Sequence, residues 1–222
     1  MSRFFNLNEL KLTYVSPLQE AWRANQVIRL YPQMEAIIKA YQKVYPYTGS
    51  SASVSVDERQ AKGIEDDSLT YGETQWTTFL DILKEIEIRP GDHFLDLGCG
   101  SGFLCFLISQ AYSIPATGVD LIEGFIDNAQ LLVKDLNLNG PRFLKANFLE
   151  LEFLPFNLFY ATCTCFDEDL MEQLSEKFYA AEPGSRIITV TSPVEGPHIR
   201  HLKQFKAKYS WGKDHVFIAE RR

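Results

Sequence analysis

Apolar residues recur at three- and four-residue spacing through the first 47 positions, in Leu18, Trp22, Val27 and Leu30, then in Met34, Ile37, Ile38, Tyr41 and Val44. That spacing predicts two helices, each with one apolar face turned to a core. Pro32 divides them, because a proline inside a helix loses a hydrogen bond and clashes with the preceding turn. From Thr48 to Lys62 the residues become small and polar, which predicts a mobile loop or linker. Helical spacing returns at Trp76, Phe79, Leu80, Ile82, Leu83 and Ile86 and stops before Pro90-Gly91. Beyond that point short apolar runs alternate with helical patterns. Strands are expected at His93 to Leu97, Ala116 to Asp120, Arg142 to Ala146, Phe156 to Cys163 and Arg186 to Thr191. Helices are expected at Phe103 to Tyr112, Ile122 to Leu136 and Glu168 to Ala180. Such alternation makes an α/β fold with a doubly wound, mostly parallel sheet. The pattern then changes to period two: Phe205, Ala207, Tyr209 and Trp211 alternate with Lys206, Lys208 and Ser210. Gly212-Lys-Asp214 follows as a turn, and His215 to Ala219 as a returning strand. An antiparallel hairpin therefore closes the sheet. Residues 1–69 are expected to form an N-terminal helical segment and loop, and residues 70–222 the sheet domain.

The connection after the first strand carries the chemistry. Gly98, Gly100 and Gly102 alternate with other residues between a strand and a helix. Glycine allows positive φ and close approach of a ligand, and free N–H groups at the helix start suit polar or anionic groups, so the turn is a small-molecule cradle. A dinucleotide fingerprint needs a third glycine where Phe103 stands. The spacing is instead D-x-G-x-G-x-G led by Asp96, and it resembles motif I of class I S-adenosylmethionine-dependent methyltransferases. The Rossmann-like sheet with a terminal hairpin is also the plan of that class. Asp120 ends the second strand about 20 residues after the glycine turn, where a carboxylate accepts both ribose hydroxyls or caps the next helix. Asn147-Phe148 after the third strand offers an amide and a ring to adenine, or a turn cap. Asp96, an acid in an apolar strand, needs a partner such as a cationic methionine moiety.

Tyr71-Gly-Glu-Thr74, the glycine turn, Asn147-Phe148 and Phe166-Asp-Glu-Asp-Leu170 together resemble the non-SET histone-lysine methyltransferases of the disruptor-of-telomeric-silencing family, from about Tyr71 to Ser192. The resemblance implies that Tyr71, Glu73 and Thr74 belong to a loop over the methionine moiety of S-adenosyl-L-methionine. Asp96, Gly98, Gly100, Gly102, Asp120, Asn147 and Phe148 would complete the cofactor site. It also implies lysine methylation, with Tyr71, Thr162 and Phe166 as candidate catalytic residues and Trp211 as a further aromatic wall. This sequence departs from the family at Asp120, where the family has Glu, at Ala146-Asn147, and at Thr162-Cys163, which align with paired asparagines beside the lysine channel. A small-molecule methyltransferase with an altered acceptor pocket, and a silent cofactor-binding module, stay open as alternatives.

Composition narrows the partners. The 222-residue chain has 29 acidic and 22 basic residues, a net charge of −7 that argues against nucleosome or DNA binding. Its one basic concentration is Arg200, Lys203, Lys206, Lys208 and Lys213 with Arg221 and Arg222. Cys99, Cys105, Cys163 and Cys165 lack metal-ligand or disulfide spacing, so no metal site is expected. No apolar run approaches a membrane span and no signal peptide opens the sequence, which makes a cytoplasmic protein the expectation. The oligomeric state is not legible.

Overall fold

The structure is a computed structural model, and it describes residues 17–46, 50–64, 72–209 and 211–222. Seven strands form one sheet: β1 (Phe94–Leu97), β2 (Ala116–Asp120), β3 (Pro141–Lys145), β4 (Leu158–Thr162), β5 (Arg186–Val190), β6 (Ile199–Tyr209) and β7 (Gly212–Arg221). Their order is β3-β2-β1-β4-β5-β7-β6. The first five are parallel, and β7 runs antiparallel to both β5 and β6. This is the doubly wound sheet with an antiparallel finish that the alternation predicts, in the Rossmann-like class I methyltransferase arrangement.

Helices α1 (Pro17–Leu30), α2 (Glu35–Val44), α3 (Ser50–Lys62), α4 (Trp76–Leu83), α5 (Phe103–Tyr112), α6 (Glu123–Asp135) and α7 (Glu168–Lys177) cover the sheet. One face packs Phe94, Tyr160, Ile188 and Val216 against residues of α1, α2, α4, α5 and α6. The other packs Leu95, Leu97, Phe159 and Ile187 with Leu174 of α7. Period two along β1 thus sends Asp96 to the same face as Phe94, under α4 and α5. Among the described residues, no helix is long and apolar enough to cross a membrane.

Two expectations are corrected. The polar stretch from Thr48 to Lys62 is helical from Ser50 onward. Its serines make a thin buried face at Ser50, Ser51 and Ser55, and the Glu58 carboxylate accepts from the N–H groups of Glu123 and Gly124 at 2.9 and 2.8 Å. Those contacts satisfy open donors at the start of α6 and outweigh the weak helix propensity of serine. The hairpin also reverses earlier than Gly212-Lys-Asp214. Tyr209 already pairs with Gly212, so Gly212 opens β7, and β6 begins at Ile199 rather than Phe205.

At the base of the sheet Arg186 on β5 forms a buried ion pair with Asp92 and also donates to the Glu87 carbonyl. The pair is remote in sequence and ties the start of β5 to the loop ahead of β1.

Candidate functional site

The carboxyl edge of β1 turns into α5 through three residues with positive φ: Gly98 at 81°, Gly100 at 50° and Gly102 at 77°. Gly102 is also the N-cap of α5, and a Cβ there would stand 2.4 Å from Phe143 Cε1. Only glycine satisfies both conditions. At Gly98 a Cβ would meet nothing within 4 Å, because that side of the turn is open. It opens on a recess of about 340 Å3 of empty space, part of it continuous with solvent, lined by Glu73, Thr74, Asp96, Ser101, Phe103, Tyr160 and Thr162 among others.

Asp96 is 2% exposed, and its Oδ2 has no hydrogen-bond partner among the described residues. Burial, with the nearby Asp120 charge added, pushes its pKa up to about 8. A buried carboxyl left this way is poised for a cationic ligand, whose arrival would restore the ionised form. Asp120 is placed differently. Its Oδ2 accepts from the Gly100 N–H at 2.8 Å and its Oδ1 from the Ile122 N–H at 2.9 Å, so it braces the glycine turn against the entry to α6. Burial raises its pKa, while those backbone donors oppose the shift. Leu121 is a third backbone donor, which leaves one of the carboxylate's four lone-pair sites for a hydroxyl ligand.

Thr74 Oγ1 lies 2.8 Å from the Tyr160 hydroxyl and 3.3 Å from Thr162 Oγ1. Glu73 accepts from Ser51 at 3.2 Å and lies 3.4 Å from the Tyr41 hydroxyl, and burial raises its pKa. The structure therefore brings Glu73, Thr74, Asp96, Gly98 and Thr162 to one recess. Asn147 and Phe148 are elsewhere. The Asn147 Oδ1 accepts from the Leu149 N–H at 3.0 Å and caps the turn Phe148–Glu150. Phe148 stacks on Phe166 with ring centroids 5.6 Å apart, on the α7 face of the sheet, and neither ring lines the recess. Phe166 is thus not a wall of this recess. Trp211 stands near the recess residue Gly72: a Cβ on Gly72 would lie 3.1 Å from its Cζ3. The indole is stacked on Tyr209 at 4.7 Å and held by Asp214 through Nε1 at 3.0 Å. Tyr71 falls outside the described residues.

Tyr160, Tyr41, Ser51 and Ser101 were not legible as site residues. For Tyr160 a signal existed, because strand alternation sets it on the same face as Thr162. The residues present fit S-adenosylmethionine: the unsatisfied Oδ2 of buried Asp96 suits a cation, and the open side of the glycine turn admits a ligand against the backbone.

A family model described as a methyltransferase domain matches residues 88–219, from before β1 into β7. "Methyltransferase phqN" of Penicillium fellutanum is 32% identical over 109 residues, 47% of this chain and 33% of that protein. A Caenorhabditis elegans "Histone-lysine N-methyltransferase, H3 lysine-79 specific" is 27% identical over 181 residues, 67% of this chain and 19% of that protein. The chain spans a third or less of the length of these curated relatives. Among solved structures, MtNAS in complex with MTA and tNA superposes with a TM-score of 0.56 at 14% identity, over 78% of this chain and 72% of that one. An RNA methyltransferase from Salinibacter ruber in complex with S-adenosyl-L-homocysteine does so with a TM-score of 0.55 at 13% identity, over 67% and 93%. Those two likenesses carry the fold alone. The family match reaches across the whole sheet, and the chain belongs to this family of methyltransferase domains, whose cofactor is S-adenosylmethionine.

Proposed function

We propose that the protein transfers a methyl group from S-adenosylmethionine to a protein lysine side chain. The observation that carries the transfer reading is Asp96, a buried carboxyl whose Oδ2 has no partner among the described residues, beside the open face of the glycine turn. When bound, the cofactor supplies an electrophilic methyl on a sulfonium, so the chain needs no nucleophile of its own. Asp96 would balance the positive charge, and the glycine turn with Asp120 would hold the adenosine half. The hydroxyls of Thr74, Tyr160 and Thr162 would accept hydrogen bonds from the acceptor amine, and the buried setting of Tyr160 and Thr74 favours its neutral form. The amine proton leaves to solvent as the methyl arrives. Support for lysine comes from the likeness to the Caenorhabditis elegans histone-lysine methyltransferase and from the Trp211 ring near Gly72 at the recess. With a net charge of −7, the favoured substrate is a soluble cytoplasmic protein rather than a nucleosome.

Thr162-Cys163, standing where the lysine-methylating family has its paired asparagines, favours a second reading, transfer to a small molecule. One experiment separates the two. The protein is incubated with methyl-labelled cofactor and a cytosolic extract, with purified nucleosomes alongside at low salt. Label recovered as methyl-lysine in extract proteins supports the proposal; label confined to the small-molecule fraction moves the acceptor to the second reading. Strong nucleosome labelling that disappears on charge reversal of Lys206 and Lys208 would overturn the substrate choice.

A further inference from the structure

Helix α2 and its C-cap residue bring two tyrosines, four positions apart, toward the glycine turn. Tyr41 and Tyr45 are 4% and 7% exposed, with ring centroids 4.7 Å apart. The Tyr41 hydroxyl donates to Ser101 Oγ at 2.8 Å and lies 3.4 Å from Glu73 Oε1, so it joins the glycine turn to the recess wall. Its ring is set edge-on to Trp76 and Phe103, at centroid distances of 5.6 and 5.2 Å. The Tyr45 hydroxyl accepts from Asn128 Nδ2 of α6 at 3.4 Å, and Glu73, Cys99 and Asp120 all lie within its electrostatic reach. Tyr41 is thereby tied to the Glu73 and Ser101 wall of the recess, and Tyr45 to α6, the helix that starts just after Asp120.

The neighbouring helix repeats the arrangement. Ser51 of α3 reaches Glu73, while Glu58 caps the start of α6 just after Asp120. Close docking at that end depends on Gly124, where a Cβ would stand 2.9 Å from Val54 Cγ1. Packing alone would be served by phenylalanine at both positions, since a buried hydroxyl carries a desolvation cost that apolar contact does not require.

We propose that Tyr41 and Tyr45 are cofactor-binding residues, Tyr41 at the amino-acid end of S-adenosylmethionine and Tyr45 at its ribose end, which presupposes the cofactor-dependent transfer proposed above. The N-terminal helices then complete the cofactor site and are not an appendage to it. Trp76, Phe103 and Tyr45 hold the Tyr41 ring, and Tyr41 in turn packs on Tyr45, so exchange for phenylalanine removes a hydroxyl and little else.

The test uses the full chain and two ligands: S-adenosylhomocysteine, and 5′-methylthioadenosine, which keeps the adenosine and lacks the amino-acid end. Calorimetry should show Tyr41→Phe weakening S-adenosylhomocysteine by about three- to tenfold, the loss of one hydrogen bond, while leaving methylthioadenosine unchanged. Tyr45→Phe should weaken both ligands alike. A fold defect would lower both affinities in Tyr41→Phe together with the melting temperature, so the split between ligands is the deciding readout. In wild-type protein, hydrogen exchange in α2 should slow on addition of S-adenosylhomocysteine, a measurement free of any variant. Wild-type binding combined with unaltered exchange in α2 and unaltered affinities in both variants would overturn this inference alone. Failure of the wild type to bind either ligand would overturn the cofactor reading and this inference with it.

Discussion

Replacing Asp96 with asparagine should make the ligand-free protein more stable at neutral pH while weakening its hold on the cofactor. The carboxyl ordinarily ionises at 3.8, and in the folded chain at about 8, because burial penalises the charged form and Asp120 adds to that penalty. Between those pH values the unfolded chain surrenders the proton and the folded chain keeps it. Stability from this residue is complete below about pH 4, declines as pH rises and levels off above about 8. Some three pH units at about 1.4 kcal/mol each amount to about 4 kcal/mol of destabilisation by pH 7. Asparagine has nearly the same shape and no proton to lose, so Asp96→Asn should remove this slope. Urea unfolding of both proteins from pH 4.5 to 8.5 is the assay, and the gap between them should widen steadily with pH. Binding should show the opposite sign. A cationic ligand favours the ionised carboxyl, so wild-type affinity for S-adenosylmethionine should rise by up to tenfold per pH unit on the way to 8, with proton release visible in calorimetry across buffers. Asp96→Asn should bind weakly at every pH. Parallel unfolding curves, or wild-type affinity indifferent to pH, would refute the reasoning.

Three further substitutions test other parts of the structure. Asp120→Ala removes acceptors from Gly100 and Ile122 together with a ribose partner, and should cost ~1.5–3 kcal/mol of binding, roughly tenfold or more by calorimetry; unchanged affinity would leave Asp120 as a brace only. Asp92→Ala strands the buried Arg186 guanidinium and should destabilise the fold by about 3–5 kcal/mol in denaturant titration, without changing cofactor affinity of the protein that stays folded. Gly102→Ala forces a Cβ into Phe143 at positive φ and should cost on the order of 3 kcal/mol, read as a lowered melting temperature.

The sheet was legible because burial on two faces leaves continuous apolar runs, and Ala116–Asp120 matches its observed strand residue for residue. Helix α3 was hidden. Its buried face consists of Ser50, Ser51 and Ser55, which resemble linker residues until Glu58 finds the open donors of α6. The hairpin boundary slipped because the alternation continues unbroken through Trp211, past the point where Tyr209 meets Gly212. In the site, glycine spacing marked the turn and Asp96 stood out as an acid within an apolar strand. The hydroxyl cluster required register: Asp96 is paired with Tyr160 across β1 and β4, and Thr74 arrives from a segment 86 residues away. Tyr41 was visible only as a member of an apolar stripe and Tyr45 lay outside that stripe, since a ring that packs and a ring that also presents a hydroxyl leave the same periodic trace.

The strand order also governs how the chain can assemble during synthesis. β7 lies between β5 and β6, although β6 precedes it in the sequence. Until β7 has left the ribosome, β6 has no strand to pair with and β5 presents an open edge whose only partner is β4. The nascent sheet is therefore exposed to edge-to-edge association through β5 over the whole time the segment from Thr191 to Arg221 is being made. Closure of the sheet waits on β7, and of its seven strands the one made last is an interior one.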